Sequence, residues 1–547
     1  MADGNTQRTD GQATLARVEG ARVDRALERH ASERLPRLRR LWAYYRNPEV
    51  GVVADRGPAS VGVSPALTGL EALDGGVGEG GWVGAPGRRR VAQEFGLPAR
   101  LRGVRDALGD DRADAGREVV IENDIGWRVD TMIDFLFGQP IRVLSTCGDE
   151  AKKALIERVL ERVWESSGGT ALLQDMALLG HVYGFVDLVL RWDERLAMAA
   201  GSAGLVDAEE IAEAAAAALR VEVVEPTRSA AVVSAEDYRR IDAYSIRFER
   251  EGASAPRGDS YERTSAWRWL GLTNRTGGGS AFGSGSGSTS REVVTEVIRA
   301  DGRRAYVDGR LAGEWSGPVA QALGRVPVVH VQNMSQPFRY EGVSEVEQLL
   351  ALQDELNTRL SDRASRVTLQ SFKMYLAKGL DGFAEGRVGP GQVWSTDNPD
   401  AEIQSFGGDA QSPSESSHID EVREAMDKVS AVPPLAGGVI RAKVGNLSSA
   451  TALRITLMGL LAKTARKRVT YGGGVESMSG LVLGALDAAG IVRTTPGERG
   501  VRIGWPDPVP QDVRERIASA MAKRDLGLPD ERVLAELGES SADAGID

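Results

Sequence analysis

From residue 118 onward the apolar positions fall into regular patterns. Ile125, Val129, Ile133 and Leu136 recur at a helical interval, and Gly138-Gln139-Pro140 closes that run before a short strand at 141–144. Helices are predicted at 150–166 and 171–180. Residues 185–191 form an apolar stretch of strand length, and an alanine-rich helix follows near 207–219. Alternation then takes over, with strands predicted at 220–224, 244–250, 291–299 and 304–307. The block is α+β. It is interrupted at 276–289 by TGGGSAFGSGSGST, a flexible loop by composition.

The next block reads as rods and turns. A buried strand at 326–331 (VPVVHV) leads to Ser344, an N-cap with Glu347 at the capping-box spacing, and to one long helix at 344–367 of about 36 Å. Val346, Leu349, Leu350, Leu356, Leu360 and Val367 lie on its apolar stripe. Carboxylates crowd its first half and arginines its second, which suits the helix macrodipole, with Glu355–Arg359 and Asp362–Arg366 as i,i+4 pairs. A glycine-rich excursion with strands at 372–376 and 392–395 comes next. A second helix opens at Ser417, with Ile419, Val422, Met426 and Val429 on one face. Pro433-Pro434 ends it. A loop at 435–447 with the cations Arg441 and Lys443 precedes a helix from Ser448 or Ser449 through Tyr471, which Gly472-Gly473-Gly474 can kink or interrupt before 478–489. Shorter helices are predicted near 511–526 and 530–537.

The first 120 residues show weak apolar periodicity and frequent Gly, Arg and Pro. They are predicted to be loops and short helices, the clearest at 35–45. The 65 glycines among 547 residues exceed the usual share of about 7% and again predict long loops.

Charge and cysteine count narrow the function. A formal charge of −11 argues against a protein that grips DNA through a broad basic face. One cysteine, Cys147, excludes an internal disulfide and a thiolate metal cage, and no stretch is long and apolar enough for a membrane span, so a soluble, intracellularly made protein is expected. No phosphate loop, HExxH, GxSxG elbow or dinucleotide fingerprint is present, which excludes a P-loop motor. His30, His181, His330 and His418 have no Cys, His or carboxylate at ligand spacing, and they read as structural or exposed. No cofactor or metal is expected.

Three ordered sequences carry a family resemblance: Asn123-Asp124-Ile125-Gly126-Trp127 through Phe137-Gly138-Gln139-Pro140; Arg325 to Asn333 followed by L-Q-D-E-L-N-x-x-x-S-D at 352–362; and Asn446-Leu447-Ser448-Ser449-Ala450-Thr451-Ala452-Leu453-Arg454 through Arg466-Lys467-Arg468. In this order they resemble the portal proteins of tailed double-stranded DNA bacteriophages, over about residues 118–486. The resemblance implies a portal fold and a non-enzymatic ring, usually of twelve copies, at one capsid vertex of the virion. Such a ring passes double-stranded DNA without reading its sequence. Its implied partners are the terminase large subunit, the head–tail adaptor, and the major capsid and scaffolding proteins, with no membrane and with assembly in the host cytoplasm.

The resemblance also divides the chain into an amino-terminal extension (1–117), wing (118–340), first stem helix (341–368), clip (369–415), second stem helix (416–432), tunnel loop (433–447), long channel helix (448–480) and crown with tail (481–547). On that division Arg441, Lys443 and Asn446 face DNA. Phe372, Tyr375 and Trp394 belong to the clip that meets partners, and Val346, Leu349, Leu356 and Leu360 pack the stem. The cations read equally well as partners for a neighbour's carboxylates, the clip aromatics as a local hairpin core. Two further classes stay open at this point: a metal-dependent enzyme acting on nucleic acid, and an adaptor or other virion protein without a channel.

Overall fold

The structure is a computed structural model. It describes residues 20–50, 90–102, 118–251, 291–371, 374–378, 400, 402–406, 413–437, 450–509, 513–527 and 533. In chain order its elements begin with α1 (20–29), which a π turn at His30–Arg34 joins to α2 (Leu35–Arg46), and the pair β1 (Glu49–Val50) and β2 (Arg90–Val91). Then come α3 (Ala99–Arg102), α4 (Asp124–Phe137), β3 (Arg142–Ser145), α5 (Glu150–Ser166), α6 (Gly169–Tyr183), β4 (Phe185–Trp192), α7 (Glu194–Ser202) and α8 (Ala208–Ala218). Strands β5 (Leu219–Val224), β6 (Ser229–Val233), β7 (Ile241–Glu251), β8 (Arg291–Arg299), β9 (Gly302–Val307) and β10 (Arg310–Trp315) lead to α9 (Pro318–Leu323) and β11 (Val328–Gln332). The chain continues with α10 (Leu350–Ser371), β12 (Met374–Lys378), β13 (Glu402–Phe406), α11 (Pro413–Ser430), α12 (Ala450–Thr456), α13 (Met458–Ala489), β14 (Val501–Gly504) and α14 (Val513–Asp525).

The architecture is α+β, with every strand pair antiparallel. Two compact units form. The first comprises Met1–Leu41, Arg128–Glu347 and Ala431–Asp547, and the second Trp42–Trp127 and Gln348–Ser430.

In the first unit a five-stranded meander, β10-β9-β8-β7-β6, faces a three-stranded sheet, β11-β4-β5. Val189, Val224 and Val328 from the small sheet and Tyr244, Ile246 and Ile298 from the meander share one apolar cluster. Strand alternation sends Val232, Ala243 and Val297 to the opposite face of the meander, where Val23, Ala26 and Leu27 of α1 cover them. Residues near the amino terminus are thus part of the core, where weak periodicity predicts loops. α1 is short and only its Val23–Leu27 face is apolar, so it signals poorly until the sheet supplies a surface.

Helix α13 runs 32 residues without interruption through Gly472-Gly473-Gly474, where the sequence allows a kink or a break. The only break nearby is at Leu457, and even there Leu457 donates to the Leu453 carbonyl at 3.0 Å and Leu461 to that of Leu457 at 2.9 Å. Gly474 serves packing. A Cβ at Gly474 would lie 2.4 Å from Val331 Cγ2, so a hydrogen there lets β11 press directly on the helix backbone. The helix propensity lost at Gly474 is offset by this contact with the sheet.

In the second unit α10 packs on α11. Ile419, Val422 and Met426 of α11 and Leu356 of α10 are buried. Helix α11 begins at Pro413, four residues before Ser417, because proline suits the first helical turn; Ser417 is inside it and bonds Glu421 at 3.5 Å. β12 falls two residues on from the strand predicted at 372–376 and pairs in register with β13, Tyr375 opposite Ser405. The predicted 392–395 strand, the Gly/Ser loop at 276–289 and the helix at 530–537 lie outside the described residues, apart from Val533.

Candidate functional site

Arg441, Lys443, Asn446, Phe372 and Trp394 lie outside the described residues, and for Tyr375 only the strand register is described. Val346, Leu349 and Leu356 are fully buried, and Leu360 is half-buried. Val346 is not on the long helix. Ser344 Oγ does accept the Glu347 N–H at 3.1 Å, as a capping box requires, but the Glu347 carboxylate turns to Arg37, at 2.7 and 2.6 Å, and heads only a single 3-10 turn. The α-helix starts at Leu350. Of the two predicted i,i+4 pairs, Glu355–Arg359 forms at 2.7 Å, whereas Asp362 is taken by Arg100 and Arg366 by Glu415.

The second unit carries a polar ladder on α10. Ser365, Ser361, Asn357 and Gln353 accept the backbone N–H groups of Glu118, Val120, Glu122 and Ile125 at 2.9, 3.0, 3.0 and 3.2 Å. Gln353 and Ser361 return the bond, donating to the carbonyls of Glu122 at 2.6 Å and Val120 at 3.2 Å. The match is geometric. Four helical residues advance about 6 Å and two extended residues about 6.6 Å, so Ser365, Ser361 and Asn357 keep pace with Glu118, Val120 and Glu122, and Gln353 meets Ile125 in the first turn of α4. Asn357 also donates to Gln93 at 3.0 Å, and Gln93 donates to the Tyr44 carbonyl and to Asn123, both at 2.7 Å. Gln353, Asn357 and Ser361 are the Q, N and S of the L-Q-D-E-L-N-x-x-x-S-D motif, and its first Asp, Asp354, accepts the Tyr44 hydroxyl at 2.7 Å. The motif is a backbone-binding face, which the apolar stripe alone does not reveal.

The first unit holds a buried charge cluster on α13. Glu345 receives Lys463 Nζ at 2.5 Å and Lys467 Nζ at 2.9 Å, and all three side chains are at most 5% exposed. Asn333 donates to the Val343 carbonyl at 2.9 Å and accepts the Tyr471 hydroxyl at 3.1 Å, and Tyr471 in turn stacks on His181. A Cβ on Gly180 would fall 2.0 Å from that hydroxyl, so glycine makes room for it. Burial alone would raise the Glu345 carboxyl, but Lys467 and Lys463 reverse that and hold it at about 2. Burial pushes Lys467 down to about 8, against the pull of Glu345, and burial with Lys467 nearby keeps His181 neutral.

Sequence reading takes Glu345 as a helix-dipole charge and Lys467 as part of a basic cluster. The available signal is the stripe Leu460, Lys463, Lys467 and Tyr471, whose spacing places both lysines on the buried face. The cluster has opposite consequences at the two ends of the pH scale. Glu345, lowered in the folded state, adds stability that is complete above its unfolded pKa and lost as pH falls through about 2. Lys467, also lowered, opposes folding while charged, and that cost is relieved between about pH 8 and its unfolded value. Lys467→Met is therefore expected to flatten the rise in urea midpoint from about pH 7 to about pH 10 relative to the parent chain.

A second buried carboxylate is organised across strands. Asp187 on β4 faces His330 on β11 in register, bonding Nδ1 at 2.7 Å, and accepts the hydroxyls of Tyr340 at 2.8 Å and Tyr244 at 2.9 Å. The partners are far apart in sequence, so local spacing cannot find them. Both carboxylate oxygens are hydrogen-bonded, as a structural carboxylate requires. Among the described residues no group of three or more His, Cys, Asp or Glu could hold a metal ion, and no helix is long and apolar enough to cross a membrane.

The residues flanking 438–449 are fixed within the first unit. Ala431 takes a left-handed φ of 58°, the fully buried Arg128 donates to the Val432 carbonyl at 2.9 Å, and the Cβ of Ala431 lies 3.8 Å from where one would stand on Gly459. Arg128 follows directly on the Asn123–Trp127 motif.

No curated protein matches the chain. Among solved structures, "Virion of native gene transfer agent (GTA) particle" aligns at 14% identity over 76% of this chain and 89% of that one, with a TM-score of 0.38. "Neck of empty GTA particle computed with C6 symmetry" aligns at 13% identity over 76% and 90%, with a TM-score of 0.40. The family model "Phage portal protein, SPP1 Gp6-like" matches residues 293–538. Over that segment the chain is similar to the SPP1 Gp6-like phage portal proteins, the family its ordered motifs resemble.

Proposed function

We propose that this chain is a structural ring subunit that forms a DNA conduit at one vertex of a phage-type particle, with no catalytic step of its own. The observation that carries the reading is the coincidence of the family match at 293–538 with the run-in, stem and post-loop motifs, in that order. In this reading a homo-oligomer, a dodecamer in the virion, docks the terminase large subunit during packaging and the head–tail adaptor afterwards, and contacts the major capsid and scaffolding proteins. The proposed segments are those the resemblance implies: wing, stem helices around α10 and α11, clip, tunnel loop, channel helix and crown. Arg441, Lys443 and Asn446 would touch phosphates transiently, and Phe372, Tyr375 and Trp394 would serve the clip. The chain's −11 charge suits a conduit, because negative walls repel phosphates over about 8 Å at physiological salt and do not hold the passing duplex.

Deleting the chain from a producing strain tests the reading. The expected particles are heads without DNA, restored by the parent chain. With Arg441→Ala and Lys443→Ala combined, rings should form while DNA retention falls. DNA-filled, infective particles made without the chain would contradict the reading.

A further inference from the structure

On α12 and α13 the outward face is apolar where a solvated helix would be polar. Ile455, Met458 and Val469 are 66%, 65% and 75% exposed, and Ala462 and Ala465 between them are exposed as well. Gly473 continues the line, with nothing within 4 Å of where its Cβ would stand. The steps from 455 to 458, 462, 465 and 469 are three, four, three and four residues, the seam spacing that brings one helix against another. The hydrogen bonds through Leu457 keep these residues on one side. The far side of α13 is already spent on the buried cluster and on β11.

Resting on the ring reading above, we propose that this stripe seats a second copy of the chain through one of its long helices. Length argues for a copy. The stripe from Ile455 to Gly473 spans about 27 Å, and the chain itself supplies rods of that size in the 22-residue α10, the 18-residue α11 and α13. Charge argues for it too. Arg466 stands exposed beside the stripe with no ion-pair partner among the described residues, while α11 presents exposed Asp420, Glu421 and Glu424. A closed ring needs two different surfaces on each copy, and a basic-edged apolar seam with an acidic helix face makes such a pair.

Ala465→Glu and Val469→Glu test the seam by sedimentation velocity, with circular dichroism to follow the fold. Val206→Glu, at a position 90% exposed away from the stripe, is the control. Both seam variants are expected to keep their helical signal and to need at least about tenfold more protein for assembly, with the control unchanged. Rings formed by the seam variants at the parent's concentration would overturn the seam and leave the ring reading standing. A parent chain that never assembles would overturn both. Thiol labelling of Val469→Cys supplies an independent readout. Protection in the assembly and fast reaction in the dissociated protomer are expected, and protection in the lone protomer would assign the stripe to a segment of the same chain and overturn the proposal.

Discussion

Glu345→Gln is expected to cost about 3–5 kcal/mol of stability near neutral pH, the usual price of leaving a buried charge without its partner. Lys463 and Lys467 would then share one neutral oxygen in a site where each is at most 5% exposed. Urea unfolding measures the loss. Two further results should accompany it. Raising the pH above about 10 should shrink the difference, because Lys467 can then enter the core neutral. Changing Glu345, Lys463 and Lys467 together to apolar residues of similar size should recover most of the stability, since a buried ion pair gains little over good apolar packing. A loss below about 1 kcal/mol for Glu345→Gln would mean that water reaches the cluster.

Asn357→Leu should have the second-largest effect, about 2–4 kcal/mol. It strands the half-buried Glu122 N–H and the buried Gln93 Oε1, and unmet bonds of this kind cost roughly 1–3 kcal/mol each when buried. Asn357→Asp should be comparably damaging. Gln93 is held by donating to Tyr44 and Asn123, so its carbonyl oxygen would face a carboxylate. Amide exchange reports on this directly. The Val120 and Glu122 amides should lose protection in either variant, while those of α13 keep theirs. Unchanged protection at Glu122 would show that the ladder does not hold the extended segment.

These two sites mark where sequence reading reaches and where it stops. Regular elements were legible wherever one face was apolar. Helix α5 (Glu150–Ser166) and strand β8 (Arg291–Arg299) fall at the expected residues because burial alone sets their periodicity. Ser229–Val233, Arg310–Trp315 and Glu194–Ser202 gave no such signal: they are short, and β10 is an exposed edge strand. The glycines of α13 read as a kink or break because propensity is local, whereas the role of Gly474 depends on Val331, more than a hundred residues away. Likewise, Gln353, Asn357 and Ser361 look like ordinary polar residues until the extended segment is laid beside them. Lys467 looks like surface charge until Glu345 is found opposite. The arrangement of chemistry was visible in the motif order. The partners that give each motif its physical sense were not.

Negative-stain images of the purified full-length chain are the most direct measurement. Class averages should show a rotationally symmetric ring with a stain-filled centre at every concentration where assembly occurs. Solid particles, open filaments or isolated protomers throughout would contradict a conduit built from this chain.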